Sequence, residues 1–286
     1  MKYFASVALA GLACATTDPA NHWAVIMAGS TGYSNYRHQS DSAHAMKIML
    51  QNGIPRDQII HLAYDDIADN IRNPFPGQIF NTPTEKGVEG YNVYDADEID
   101  YRGDDVNKEN FFKVLLGDET APGPVLNSNE ESRVFVFYVD HGGRGLICTP
   151  QSSAEWIYMD QLDSTLNKMK TMGMFKELVF YLETCESGSM FDNLTSDGGI
   201  YAVSASNATQ SSYANYCGTD ATVDGTAIGS CLSDLFATNW MQDTLNAELS
   251  IETLSEQYDS VKELTSLSPV LKFGDYSFMQ DPVGDF

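Results

Sequence analysis

A single α/β domain, built on a mostly parallel sheet covered by helices on both faces, is the fold class that three features of the sequence predict. Strand-length apolar runs rich in aromatic and β-branched residues recur, as in Val134 to Val139 and Leu178 to Leu182. Stretches with helical apolar spacing lie between them. The links are short, which makes each strand–helix–strand unit a right-handed crossover of a parallel sheet. The 286 residues, 43% of them apolar, suffice for one sizeable core.

The elements follow in order. Lys2, the small apolar run from Tyr3 to Ala13 and the small-x-small triplet Ala13-Cys14-Ala15 read as a secretory signal over residues 1–15. That run is too short to span a membrane, and no later stretch is apolar for long enough. The mature chain opens with a strand over His22 to Ala28 and a Gly29-Ser30-Thr31-Gly32 turn. Ser40 or Asp41 is the expected cap of a helix carrying Ala43, Met46, Met49 and Leu50 on one face, and Gly53 stops it. Gln58 to Tyr64 is the second strand. Residues 67–104 read as a surface excursion, with a Pro/Gly loop at 73–77 and dense acidic charge from Asp95 to Asp105. A helix over 106–116 precedes the third strand, Val134 to Val139, which runs into Asp140-His141-Gly142-Gly143. Leu146 to Cys148 and Trp156 to Tyr158 form a short hairpin. Asp160 is the expected cap of the next helix, on Leu162, Leu166 and Met169. The fourth strand ends at Cys185 and the fifth, Gly199 to Ala205, at Ser206. A polar loop over 210–225, helices over 230–246 and 251–264, and an irregular tail from Pro269 complete the chain.

Composition narrows the partners. The net charge of -24, from 40 acidic against 16 basic residues, repels nucleic acid and anionic membranes and suits an acidic compartment. Beyond Cys14, four cysteines remain: Cys217 and Cys231 are close enough to staple a loop, and Cys148 reads as a buried or semi-buried free thiol. No cysteine or histidine has zinc-type spacing, so no metal or cofactor is expected. Asn193 and Asn207 head glycosylation triplets.

In sheets of this kind, ligands bind beyond the carboxyl ends of the strands. Asp140, His141, Cys185 and Ser206 all fall there. An imidazole that takes the proton of Cys185 would make a nucleophilic thiolate, and the amides of Gly142 and Cys185 would stabilise an oxyanion. A half-buried structural cysteine beside a turn histidine fits the same residues, and the residues alone leave both readings open. Arg37 with the carboxylates of Glu183 and Asp234 makes either an amphoteric pocket suited to a side-chain amide or a set of ordinary ion pairs.

Seven motifs resemble those of the legumains, the asparaginyl endopeptidases of the caspase-like cysteine peptidase clan. They are NHWAVIMAGS (21–30), NYRHQSD (35–41), NGIPRDQI (52–59), YDDIA (64–68), DHGG (140–143), YLETCESGSMF (181–191) and SSYA (211–214). The resemblance implies a three-layer αβα peptidase domain over residues 16–286. It implies Cys185 as nucleophile, His141 as base and acid, Asn35 as the residue orienting the histidine, and Gly142 and Cys185 as the oxyanion hole. Arg37, His38, Glu183, Ser211, Ser212, Tyr213 and Asp234 correspond to substrate-binding positions, and Asp140 to a residue prone to cyclise to a succinimide. Cleavage after Asn, and after Asp at acidic pH, is expected, with peptide ligation as a further outcome. A monomer is expected, in the secretory pathway or a lysosome-like compartment. Legumains are usually zymogens with a helical C-terminal domain. This chain ends at Phe286, so control is expected from its compartment, a separate or removed prodomain, or a cystatin-like inhibitor. The catalytic subunit of the complex that attaches lipid anchors to proteins shares the fold, but its nucleophile motif reads DTCQ where this chain has ETCE. A catalytically inactive binding protein on the same fold is the remaining alternative.

Overall fold

The computed structural model describes residues 21–84 and 89–286, so the expected signal lies outside the described residues. Six strands form the central sheet in the order β13-β8-β7-β3-β1-β2. In chain order, β1 is His22–Ala28, β2 Ile59–Leu62 and β3 Arg133–Val139. The short strands β4 (Gly142–Gly143), β5 (Leu146–Ile147) and β6 (Ile157–Tyr158) make a small antiparallel sheet beside it. β7 (Glu177–Glu183) and β8 (Ile200–Ser204) extend the main sheet. β9 (Ala214–Asn215) and β12 (Ser233–Asp234) pair with each other, as do β10 (Thr222–Val223) and β11 (Thr226–Ala227). β13 (Leu271–Gly274) runs antiparallel to β8, whereas the other main-sheet neighbours are parallel.

All seven residues of β3 are buried, because both faces of the strand are covered. Alternate side chains supply two cores. Phe135, Phe137, Val179 and Tyr181 pack under α1 (Tyr36–Gln51), α4 (Leu235–Asn246) and α5 (Leu254–Leu264), around Trp240. Val134, Val136, Tyr138, Phe180 and Leu182 face α2 (Lys108–Leu115) and α3 (Met159–Thr171). These are the three layers of an αβα domain.

Several boundaries differ from the sequence-based expectation. α1 begins at Tyr36, so Ser40 and Asp41 are not caps but buried positions inside the helix. Their hydroxyl and carboxyl groups bond to Phe80 and to Asn81, Ser233 and Asp234, so distant partners satisfy them. β2 and β8 are each shorter than expected. α3 is capped at Tyr158, whose N–H donates to Gln161, and Asp160 sits in its first turn. α4 starts at Leu235 because Ser233–Asp234 is strand, and α5 starts at Leu254 behind a Thr253/Glu256 capping box. The segment over 67–104 is more than a surface excursion: Ile67, Ile79, Phe80 and Val93 pack with Tyr33, Tyr36 and Val223 in a third core. The tail is irregular apart from one strand, Leu271–Gly274, which the sequence-based expectation lacks. Gly274 ends it with φ +85°, and a Cβ there would stand 2.2 Å from the Ile200 carbonyl oxygen. Cys217 and Cys231 form a disulfide, and Cys148 is free and half-buried. Asn193 is exposed, whereas Asn207 is half-buried and bonded to Gln210 and Thr209.

Arg133, at the start of β3, donates to Glu177, Asp281 and Asp285 at 2.7, 2.8 and 2.9 Å and lies over the Phe286 ring. It ties the C-terminal segment to the amino end of the sheet. Arg133→Ala removes the guanidinium that these three carboxylates share, and a destabilisation of about 3 kcal/mol is expected in urea denaturation, with Arg133→Lys recovering only part.

Candidate active site

Parallel pairing of β3 and β7 matches Val139 with Glu183. His141 and Cys185 each lie two residues past that pair, on neighbouring strands whose spacing is about 4.8 Å. Asp140 N–H donates to the Glu183 carbonyl at 3.1 Å, which carries the pairing one step beyond the strands. Gly142 then packs against the Cys185 turn: a Cβ would stand 2.7 Å from Thr184 Oγ1 and 2.9 Å from the Cys185 carbonyl oxygen. A glycine is therefore required where the two turns touch.

The Cys185 turn is tightly held. Glu186 adopts the left-handed conformation, φ 53°, and its N–H donates to Gln210 O at 2.9 Å. Ser187 and Ser206 exchange hydrogen bonds through backbone and hydroxyl groups, and Ser206 Oγ also donates to Thr184 O. Cys185 itself is half-buried, with its Sγ 3.8 Å from Ser212 O.

His141 stands at the surface, edge-on to the buried ring of His38 with centroids 4.9 Å apart. Its Nε2 is 2.9 Å from Asn35 Oδ1. The Asn35 amide nitrogen donates to Thr31 O at 3.0 Å, which turns Oδ1 towards the ring. Oδ1 can only accept, so the proton of neutral His141 sits on Nε2 and Nδ1 carries the free lone pair. Partial burial, then the Arg37 guanidinium, lower the imidazole's pKa. The ring is therefore neutral into mildly acidic solution.

Behind these groups lies a buried polar cluster. Arg37 donates through Nε to Asp234 Oδ1 at 2.8 Å. Glu183 accepts from the N–H of Ala237 in the first turn of α4 at 2.9 Å, and Ser212 also faces it. Asp41 accepts from Asp234 N–H, the Ser233 hydroxyl and the Asn81 amide. His38 lies between Asp140 and Asp234, at 3.3 and 3.5 Å, with Ser30 Oγ 2.7 Å from its Nδ1. Asp41, Asp140, Glu183 and Asp234 are all at most 4% exposed, and Arg37 is the one guanidinium among them. Burial pushes Asp41 and Glu183 well above the usual carboxylate range, and the Asp234 charge adds to this. Burial likewise raises Asp140 to about 8. Asp234 is raised by burial and pulled back by Arg37. His38 is held well below its ordinary value by burial, then by Arg37. Arg37 and Asp234 form the ion pair of this cluster, and burial shifts its other acids towards the protonated form and His38 towards the neutral one.

The remaining candidate positions gather at the same edge. Pairing of β9 with β12 brings Ala214 opposite Asp234, and Leu235 N–H donates to Tyr213 O. Ser211 and Tyr213 are exposed there, with Ser212 half-buried between them. His38, Asp140 and His141 each offer a metal-type ligand atom within 4.8 Å of the others. Ser30 and Asn35 already occupy one ring nitrogen of each histidine.

The family model for "Peptidase C13 family" matches residues 22–286. The chain belongs to the peptidase C13 family. This C13 chain is 43% identical over 261 residues to the hemoglobinase of Schistosoma mansoni, covering 91% of this chain and 58% of that protein. It is 41% identical over 274 residues to the legumain of Rattus norvegicus, covering 94% and 60%. The chain thus spans little more than half the length of the curated relatives it matches. Caspase-1 from Spodoptera frugiperda superposes with a TM-score of 0.54 over 89% of this chain and 86% of the other, at 9% identity, which shows a common fold.

Asp41, Asn81, Ser30, Ser233 and the Ala237 N–H are the parts of this C13 site that the sequence motifs do not assign. Arg37 and Asp41 are four apart, the spacing of one helix face, and that signal becomes visible once α1 is started at Tyr36.

The raised carboxyls set the pH dependence of stability. Between its ordinary value of 3.8 and about 8, folded Asp140 keeps a proton that the unfolded chain releases. Stability falls as pH rises through that window, by up to ~1.4 kcal/mol per pH unit for this one group. Asp41 and Glu183 act in the same direction. Urea denaturation at pH 5, 6 and 7 checks this: wild type loses stability with rising pH, and Asp140→Asn has a slope shallower by about that amount.

Proposed function

We propose that the chain is a cysteine endopeptidase that cleaves peptide bonds after Asn, and after Asp at acidic pH, working in an acidic compartment of the secretory pathway. The observation that carries this reading is the buried Arg37–Asp234 pair with Glu183, at the strand ends that lead into the turns of His141 and Cys185. Arg37 binds Asp234 through Nε, and its terminal nitrogens are available to a substrate oxygen. An Asn carboxamide offers one acceptor oxygen to that guanidinium and one donor NH2 to the carboxyl groups. An Asp side chain has two acceptor oxygens, so it fits beside Glu183 and Asp234 only when one of the acids carries a proton.

In the reaction, Nδ1 of His141 takes the Cys185 proton and the thiolate attacks the main-chain carbonyl carbon of the Asn. The oxyanion forms against the amides of Gly142 and Cys185. Its collapse breaks the C–N bond, and the imidazolium returns its proton to the departing amine. Water, deprotonated by His141, then hydrolyses the thioester and releases the acid and the thiol. A peptide amine that attacks in place of water gives a ligated chain. Asn35 holds the imidazole in the tautomer that this sequence of steps needs. Among the described residues no helix is long and apolar enough to cross a membrane, and no step needs one.

Fluorogenic peptides with Asn, Asp or Arg before the scissile bond, assayed at pH 5.5 and pH 7, test the proposal. Turnover of Asn is expected, with Asp rising only at pH 5.5 and Arg refused. Cys185→Ala should fall to background. Arg37→Ala should lose about a hundredfold or more in kcat/KM for Asn, because a buried recognition group goes unpaired. Asn35→Ala should lower kcat about ten- to a hundredfold with a smaller effect on KM. Preferred turnover of Arg would overturn the pocket assignment, and full activity in Cys185→Ala would overturn the nucleophile.

A further inference from the structure

In this strongly acidic chain one exposed cation, Arg144, stands apart. Of the six arginines, Arg37, Arg56, Arg102 and Arg133 pair with carboxylates, and Arg72 lies over the Tyr33 ring. Among the described residues Arg144 alone of the arginines has no side-chain partner, although it is exposed in a chain with 40 acidic residues. Its backbone is the opposite of free. Gly143 pairs with Leu146, so Arg144 and Gly145 are the two central residues of a tight hairpin, and Gly145 has a positive φ, +73°, at the second central position, where glycine is favoured. Gly145 N–H donates to Ser189 Oγ at 2.7 Å, and Ser189 Oγ donates to Glu186 O at 2.6 Å, next to Cys185. On the other side, Met159 N–H donates to Gly145 O at 3.0 Å. The turn is therefore clamped between the Cys185 turn and the start of α3.

The side of the cleft follows from the chemistry, and this step rests on the peptidase reading. His141 hands its proton to the departing amine, so it stands on the leaving-group side of the scissile bond. The chain that continues from it, Gly142 to Gly145, borders the same side. The pocket of Arg37, Glu183 and Asp234 holds the residue before the bond, and no charged group of that pocket lies on the hairpin. We propose that Arg144 is a specificity-determining residue that selects substrates with a carboxylate in the first two positions after the cleaved bond. The fixed turn holds the backbone of Arg144 in place, and the planar fork of its guanidinium suits a carboxylate.

Internally quenched peptides test this, with Asn before the bond, Asp, Ala or Lys at both following positions, and a C-terminal carboxamide. A further Ala-Ala peptide ending in a free carboxylate asks whether a chain end serves as well as a side chain. For wild type, kcat/KM should fall in the order Asp, Ala, Lys, with about a two- to fivefold span at low salt, the size of an exposed ion pair. The span should shrink at about 0.5 M salt. It should vanish in Arg144→Ala and reverse in Arg144→Glu. Equal wild-type rates, or a preference for Asp that survives in Arg144→Ala, overturns the inference. Failure to cleave any of these peptides counts against the peptidase reading instead. Fluorescence anisotropy on Cys185→Ala then decides: tighter binding of the Asp peptide, lost in Cys185→Ala/Arg144→Ala, supports the role of Arg144, and equal Kd values overturn it.

Discussion

The parallel register of β3 against β7 is the constraint on which the rest of the site depends. One matched pair, Val139 with Glu183, sets how far each strand runs before its turn. A slip of one residue would turn every side chain of β7 to the opposite core and carry Cys185 out of step with His141. The register is protected by the cores themselves. Phe135, Tyr181 and Trp240 interlock on one face, while Phe180 and Phe191 stack on the other. The packing that stabilises the sheet and the alignment that brings the two turns together are one set of contacts.

The same strand end also fixes the electrostatics. Glu183 closes β7 and points into the cluster that α1 and α4 share, so the pocket is built from three elements that the sheet holds in place. Four buried acids against one guanidinium cannot all ionise without a large desolvation cost. Burial shifts the acids towards the protonated form, which ties the stability of the cluster to pH.

Much of this architecture is legible in the amino-acid sequence, for identifiable reasons. β1, β3 and β7 are buried on both faces and read as continuous apolar runs, so their carboxyl ends, with Asp140, His141 and Cys185, can be located closely. The start of α1 is hidden because the helix buries Ser40, Asp41, Ser42 and His44, polar residues that mimic a cap and blur the apolar stripe. The role of Asp41 depends on Asn81 and Ser233, which are far away along the chain, and no local pattern carries that information. β13 escapes the sequence pattern because four half-buried residues pairing antiparallel at an edge leave no periodic trace.

That last strand has a consequence for how the molecule behaves in company. An open sheet ends in unpaired N–H and C=O groups, which invite a neighbouring chain to add on and, repeated, to build fibres. Here one border, β2, is buried along its whole length beneath the Tyr101 segment. The other, β13, carries Lys272 and stops at Gly274, whose left-handed turn takes the backbone out of the strand direction. Both borders are only four residues long, so the sheet offers a poor template for strand-by-strand growth. Resistance to aggregation follows from the way the sheet ends.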